Sequence, residues 1–352
     1  MNKASLSLLK RLIEPAGPSG YERAAAAVWR AEAESFADLV DRDLTGNSYA
    51  WLKQGDDRPV VLIEGHIDEI GLQITHVDKE GFIWFDEIGG WDAQVLTGQR
   101  VRFVTDGDPV VGVIGRKAAH LLEEADREKA IKLNSLWIDI GASSREEALK
   151  RVQIGDAAVV DVPFVELTDR LVTSRALDNR AGSYVALQTL RALAEKRPWA
   201  NVVAVTTTQE ETSYGGAFTA AFKTAPTVAI AIDVTHPTDY PGADKKRDDE
   251  IALGSGPVLS RGASINPVVF ERLVAAAGSK VRYTVQGSPR QTWTTADAMI
   301  KSGRGPATGL VSIPLRYMHS PNETIDVNDL DASVELLVQF VRDIDPKTDF
   351  RP

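Results

Sequence analysis

Seven residues of the types that bind divalent metal ions stand at the ends of predicted strands or at the start of a predicted helix. Imidazole and carboxylate groups together suit zinc or a similar ion. In open α/β sheets, ligands bind beyond the carboxyl ends of the strands, so side chains at those ends are expected to meet. The residues come from five separate segments: His66, Asp68, Asp178, Glu210, Glu211, Asp233 and His319. Together they predict a metal centre.

The charges of this set indicate two ions. If Asp178, Glu211 and Asp233 are ligands beside neutral His66 and His319, their three negative charges and one bridging hydroxide balance two divalent cations. Two such ions lower the pKa of a bound water from about 16 towards 7 and polarise a carbonyl, which is the chemistry of amide hydrolysis. One carboxylate of the adjacent glutamate pair then remains free to carry a proton to the leaving amine.

The spacing assigns one further role and leaves another open. Asp68 follows His66 by two residues and is placed to bond the far imidazole nitrogen, which would fix its tautomer. Spacing alone does not say which of Glu210 and Glu211 is the base and which is the ligand. Each residue also has an ordinary explanation, such as a helix N-cap for Asp178, but convergence of five segments favours a metal centre.

The composition excludes several classes of function. The chain has 352 residues and no cysteine, so disulfides, thiolate nucleophiles and cysteine zinc sites are ruled out. A net charge of -10 without a basic stripe argues against a nucleic-acid partner. No apolar run approaches membrane-spanning length, and Lys10 and Arg11 interrupt the N-terminal apolar run too early for a signal peptide. These features predict a cytoplasmic protein with no membrane partner.

Alternating strands and helices predict an α/β fold. Residues 1–71 and 165–352 are predicted to form an α/β/α catalytic domain with a mostly parallel sheet. Most of the candidate ligands follow strands of this sheet. Residues 72–164 contain short β-type runs separated by Gly and Asp turns, which is typical of a small inserted β-barrel domain. The pattern also predicts a polar helical stretch near 121–130 and a strand at 280–285.

Six blocks, in order along the chain, carry a resemblance to a known family. They are Gly-Pro-Ser-Gly-Tyr-Glu at 17–22, Gly-His-Ile-Asp-Glu-Ile-Gly at 65–71, Ala-Leu-Asp-Asn-Arg-Ala-Gly at 176–182, Gln-Glu-Glu at 209–211, Ile-Asp-Val-Thr-His at 232–236 and Ser-Ile-Pro-Leu-Arg-Tyr-Met-His-Ser-Pro at 312–321. The chain resembles the M42 metallo-aminopeptidases, the glutamyl, leucyl and deblocking aminopeptidases that form tetrahedral particles. A further segment, outside the six blocks, departs from the family pattern: Thr294-Thr295-Ala296-Asp297-Ala298 stands where members usually have Gly-Thr-Asp-Ala.

The resemblance implies a role for each candidate residue. The ligands would form two sets that share Asp178: His66, Asp178 and Asp233 for one metal, and Asp178, Glu211 and His319 for the other. Glu210 would be the general base, and Asp68 would orient His66. The cofactors would be two divalent ions per subunit, Zn²⁺ or Co²⁺. The inserted domain would serve dimerisation, and dimers would assemble into a tetrahedral dodecamer.

The predicted activity is metal-dependent removal of N-terminal residues from short peptides, by a metal-bridged hydroxide with a glutamate base. Two alternatives stay open: hydrolysis of N-acyl amino acids or other amides on the same centre, and a non-catalytic binding protein of this fold. The presence of every candidate ligand and base disfavours the second. An endoglucanase label, which some relatives carry, is not favoured because glycosidases use two carboxylates flanking the scissile bond.

Overall fold

The chain builds an eight-stranded sheet, a closed six-stranded barrel and a small three-stranded sheet. In the computed structural model, residues 1–105, 107–124 and 129–352 are described, with the backbone alone at 247 and 248. The strands are β1 Leu39–Arg42, β2 Ser48–Leu52, β3 Val60–His66, β4 Gly71–Val77, β5 Ile83–Ile88, β6 Arg100–Phe103, β7 Val111–Gly115, β8 Trp137–Asp139, β9 Ala157–Val160, β10 Val165–Glu166, β11 Leu171–Ser174, β12 Asn201–Thr207, β13 Val228–Thr235, β14 Val258–Gly262, β15 Thr284–Ser288, β16 Ala307–Pro314 and β17 Glu323–Asp326.

The helices surround the large sheet, with short ones in the barrel region. They occupy Lys3–Ile13, Arg23–Ala33, Ala93–Leu96, Arg145–Leu149, Leu177–Glu195, Glu210–Ser213, Gly215–Thr224, Lys245–Asp248, Pro267–Ala277, Ala296–Met299 and Val327–Arg342. Among the residues described, no helix is both long and apolar enough to cross a bilayer.

The large sheet has a parallel centre that is buried on both faces. Its order is β1-β2-β12-β3-β13-β16-β14-β15, and the pairs from β12 to β16 are parallel. Successive side chains of a strand point to opposite faces. Accordingly, Val202 and Ala204 of β12 pack into the larger core with helix Leu177–Glu195, while Val203 and Val205 pack into a smaller one with helix Gly215–Thr224. This explains the continuous apolar runs in the sequence.

The inserted barrel closes in the order β4-β5-β8-β7-β6-β9 and has its own hydrophobic core, which includes Leu72, Ile83, Val101, Ile114 and Ile138. The predicted fold class, a mostly parallel α/β sheet with an inserted small barrel, is therefore confirmed. The barrel strands run from Gly71 to Val160.

One predicted strand needs correction, and one predicted helix lies partly outside the residues that the structure describes. The strand predicted at 280–285 lies later, at Thr284–Ser288, because the amides of Lys280 and Val281 both donate to the Ala277 carbonyl and keep the chain in a turn after the preceding helix. The helical stretch predicted at 121–130 lies in part outside the described residues; its beginning overlaps the 3₁₀ turn Ala119–Leu121.

Candidate metal centre

Parallel pairing brings three of the candidate segments to one edge of the large sheet. His66 is the last residue of β3, and its Cα partner is Thr207, the last residue of β12. Two residues after β12, Gln209 adopts a left-handed conformation with φ 58°, and Glu210 then starts a short helix. Asp233 lies near the end of β13, the strand on the other side of β3. The ends of these strands therefore place the His66 imidazole between the Glu210 carboxylate on one side and the Asp233 carboxylate on the other.

Asp178 and His319 reach the same place from outside the sheet. Asp178 has an extended backbone, with ψ 106°, and its carboxylate faces His66 and His319. It does not cap the helix, which was its ordinary explanation, because Asn179 Oδ1 accepts the Gly182 N–H at 2.9 Å and serves as the cap. His319 is itself left-handed, with φ 57°. The buried Glu323 carboxylate holds both segments, because it accepts the backbone N–H of Asp178 at 3.0 Å and that of His319 at 3.1 Å. Sequence reasoning missed Glu323; its one signal is a position four residues after a candidate ligand.

The side chains converge in two groups that share Asp178. His66 Nε2 lies 3.3 Å from Asp178 Oδ1 and 3.9 Å from Asp233 Oδ1. His319 Nε2 lies 3.5 Å from Asp178 Oδ2 and 3.3 Å from Glu211 Oε2. In each group one atom per residue lies within 4.8 Å of the others, and a further group of this kind joins His66, Glu210 and Glu211. All seven residues predicted from the sequence lie in or beside this cluster.

These distances suit a divalent ion between the donors better than direct hydrogen bonds. A tetrahedral zinc site with bonds of about 2.0–2.1 Å separates its ligand atoms by about 3.3–3.4 Å. Three of the four imidazole–carboxylate distances above are 3.3–3.5 Å, longer than a charge-assisted hydrogen bond. The donor chemistry, imidazole nitrogen with carboxylate oxygen, is also that of zinc and related ions. The residues present therefore fit the binding of a divalent metal ion.

The protein by itself leaves the negative charge of this cluster poorly compensated. Burial raises the pKa of Glu210 well above its usual range, and repulsion by Asp233 and Glu211 adds to the effect. Burial alone would lower the pKa of His319, but the neighbouring carboxylates of Asp178 and Glu211 raise it to about 11. The cluster therefore favours positive charge beside its carboxylates, which a divalent ion would supply.

Asp68 lies behind His66, as its spacing predicts. Its Oδ1 is 3.4 Å from His66 Nδ1, and its backbone carbonyl is 3.2 Å from the same nitrogen. Its Oδ2 accepts hydrogen bonds from the Ser19 hydroxyl at 2.5 Å and from the Glu211 backbone N–H at 3.1 Å. Asp68 therefore connects the first imidazole with the glutamate turn.

A buried ion network beneath the site ties it to the N-terminal segment. Arg180 and Arg175 both donate to the Glu69 carboxylate, at 2.7 and 2.6 Å. Arg180 is fully buried and also donates to the carbonyls of Leu12, Ile13, Pro15 and Ile67. Sequence reasoning assigned no role to these three charged residues, although Glu69 and Arg180 lie inside motif blocks and Arg175 directly precedes one.

Replacing Arg180 by alanine is expected to lower the free energy of unfolding by about 3–5 kcal/mol, because it leaves Glu69 and several carbonyls buried with fewer partners. Chemical denaturation at matched protein concentration measures this. The control is Arg197→Ala, which removes an exposed arginine paired with Asp38 and should cost less than about 1 kcal/mol. Equal losses in the two variants would contradict a stabilising role for the network.

The cluster opens into a cavity of about 510 Å³. One side carries the candidate ligands, and the other is formed by residues of β15 and the following loop, from Gln286 to Thr294. A larger cavity, about 850 Å³, lies near Tyr21, Val110 and Leu149, but it is lined by none of the seven candidate residues. The smaller cavity is therefore the one that borders the candidate metal centre.

Comparisons with known proteins find a matching family and similar solved structures. A profile of the M42 glutamyl aminopeptidase family matches residues 46–336. The chain is 35% identical to the lysyl aminopeptidase of Pyrococcus furiosus, an alignment that covers 98% of this chain and 99% of that protein. It is 31% identical to the solved TET aminopeptidase of a marine sediment Thaumarchaeota archaeon, with a TM-score of 0.93 and coverage of 98% and 97%.

A further solved structure matches at almost full length. It is the TET1 peptidase of Pyrococcus horikoshii, described as able to assemble into a tetrahedron or a large octahedral shell. The two chains are 30% identical, with a TM-score of 0.85, and the match covers 97% of this chain and all of the other. These likenesses extend over the sheet, the barrel and every segment of the candidate metal centre.

Proposed function

This chain belongs to the M42 glutamyl aminopeptidase family, and from that membership we propose that it removes residues from the N-termini of short peptides with two divalent metal ions. Membership makes it a peptide hydrolase of the aminopeptidase class. The observation that supports the two-ion proposal is the pair of donor groups that share Asp178.

We assign the ligands as two sets. His66, Asp178 and Asp233 would hold one ion, and Asp178, Glu211 and His319 would hold the other. When bound, two ions lower the pKa of a water molecule towards about 7 and polarise the scissile carbonyl. Their identity, zinc or cobalt, depends on supply in the cell as well as on the donors.

Glu210 is the residue we assign as general base. Its carboxylate is nine-tenths buried, lies in the cavity, and belongs to neither of the two ligand sets that share Asp178. From there it takes a proton from the attacking water and delivers it to the leaving amine. Asp68 acts through His66, whose orientation and tautomer it fixes.

The wider properties of the protein follow by analogy. We propose a homo-oligomer built from dimers, up to a tetrahedral dodecamer, in which residues 72–164 serve as the dimerisation domain. The relative from Pyrococcus horikoshii that forms closed shells supports the assembly. We also propose that the protein works in the cytoplasm and that neither nucleic acid nor membrane is its partner, in keeping with a net charge of -10.

Removal of metal tests the function directly. Protein dialysed against a chelator should lose activity on an unblocked tripeptide, and added Zn²⁺ or Co²⁺ should restore it, with the free N-terminal amino acid as the first product. The same tripeptide with an acetylated N-terminus is the matched control and should not be cleaved.

The outcomes separate the open alternatives. Cleavage of the acetylated peptide at a similar rate would favour an N-acyl amide hydrolase on the same centre. Metal binding without turnover of any amide substrate would favour a binding protein that keeps the fold. Activity that survives complete removal of metal would contradict the proposal.

A further inference from the structure

The wall of the cavity that faces the candidate metal centre is polar but lacks strong positive charge. It contains Gln286, Ser288, Gln291, Thr292, Trp293 and Thr294. Among the described residues, none that lines the cavity is lysine or arginine. Arg290 stands within this segment, but it is exposed and is not part of the lining.

Hydrogen bonds fix this wall in place. The Thr235 hydroxyl donates to Gln286 Oε1 at 3.0 Å, and the hydroxyls of Thr292 and Thr294 share a bond of 2.9 Å. The backbone N–H of Trp293 donates to Asp297 Oδ2 at 2.8 Å. The wall is thus preorganised and does not need the substrate to order it.

The end of the wall is anchored to the strands that carry the site. The Thr295 hydroxyl donates to Glu64 Oε2 at 2.5 Å, and the Thr207 hydroxyl donates to the other oxygen of the same buried carboxylate. Glu64 lies in β3 two residues before His66, and Thr207 ends β12. The loop whose sequence departs from the usual family pattern is therefore tied rigidly to the metal-binding edge.

We infer that this enzyme, given the function proposed above, discriminates against N-terminal glutamate and aspartate in favour of residues such as glutamine whose side chains are uncharged. The side chain of the first residue must lie in the cavity when its carbonyl reaches the metal centre, and the wall opposite offers amide and hydroxyl dipoles. An acidic side chain would lose its hydration against this wall, because the lining from Gln286 to Thr294 contains no lysine or arginine, and Asp297 behind the wall adds repulsion. His236, the one imidazole among the described lining residues apart from the candidate ligands, is exposed to solvent. A neutral side chain of the same shape meets no such penalty.

Glutamine and glutamate form the sharpest test, because their side chains are nearly isosteric. With metal-loaded, fully assembled protein at pH 8, kcat/KM for glutaminyl p-nitroanilide should exceed that for glutamyl p-nitroanilide by at least about tenfold. Equal values, or a preference for glutamate, would overturn the inference while leaving the aminopeptidase function intact. No hydrolysis of either compound or of leucyl p-nitroanilide would instead contradict the proposed function.

Charge substitution in the wall tests the cause. Gln286→Lys should raise the ratio of glutamyl to glutaminyl kcat/KM at least about tenfold, because it supplies the missing cation. Gln339→Lys, which adds the same charge on the outer helix Val327–Arg342, should leave the ratio unchanged. If Gln286→Lys does not fold, Gln291→Lys at the exposed mouth of the cavity replaces it. An unchanged ratio in the folded wall variant would contradict a selection based on charge.

Discussion

Replacing Glu210 by glutamine is expected to lower kcat about 10²–10⁴-fold while the protein keeps its metal ions. Glutamine has the same shape but cannot accept and return a proton. Glu210 lies outside the two ligand sets that share Asp178, so neither ion should lose a ligand. The measurements are kcat on an unblocked tripeptide and metal content per subunit after equilibrium dialysis.

Glu211→Gln is the matched control, because it makes the same chemical change one residue further on. His319 Nε2 lies 3.3 Å from Glu211 Oε2 and 3.5 Å from Asp178 Oδ2. Because these three residues form one ligand set, the Glu211→Gln variant should lose metal from one site. The two glutamates also form a third group with His66, which is why spacing could not distinguish them. Metal loss in Glu210→Gln with retention in Glu211→Gln would reverse the two assignments.

The sequence predicts the parallel part of the fold well because the physical signal there is local. The run at Val60–His66 is apolar until its polar end, and the structure places that end at the edge where β12 and β13 also finish. Parallel pairing then brings His66, Asp233 and the glutamate turn together without further information. The fold class is confirmed for this reason, and the family resemblance is confirmed by the matching profile and relatives.

The parts that were missed depend on contacts between distant segments. Nothing local shows that Ala176 is left-handed or that Asn179 caps the helix, so the sequence could not exclude a capping role for Asp178 beside the predicted role as a ligand. Glu323 holds Asp178 and His319 through backbone amides, and Arg180 reaches carbonyls more than 100 positions away. A carboxylate or guanidinium that serves other segments in this way has no periodicity to detect. Such residues become visible only when the chain is folded.

The shared position of Asp178 leads to the second large effect. Asp178→Asn should weaken metal binding at both sites, since Oδ1 faces His66 and Oδ2 faces His319. Loss of a contact that only supports a ligand commonly costs 10–100-fold in affinity, so loss of this charged ligand should exceed about 100-fold. Activity at low free metal should then fall to background.

His319→Ala provides the comparison that separates sharing from simple damage. It removes a ligand that contacts Asp178 and Glu211 but lies outside the set of His66, Asp178 and Asp233, so one of the two ions should remain. Calorimetric titration of each metal-free protein with Zn²⁺ should give two binding sites in the parent, one tight site in His319→Ala and none in Asp178→Asn. Metal binding also stabilises the folded state. The rise of the thermal midpoint with added Zn²⁺ should therefore be largest in the parent, smaller in His319→Ala and absent in Asp178→Asn. Equal stoichiometry in the two variants would show that Asp178 does not bridge, and the two-site assignment would then have to be replaced by one in which each ion has its own carboxylates.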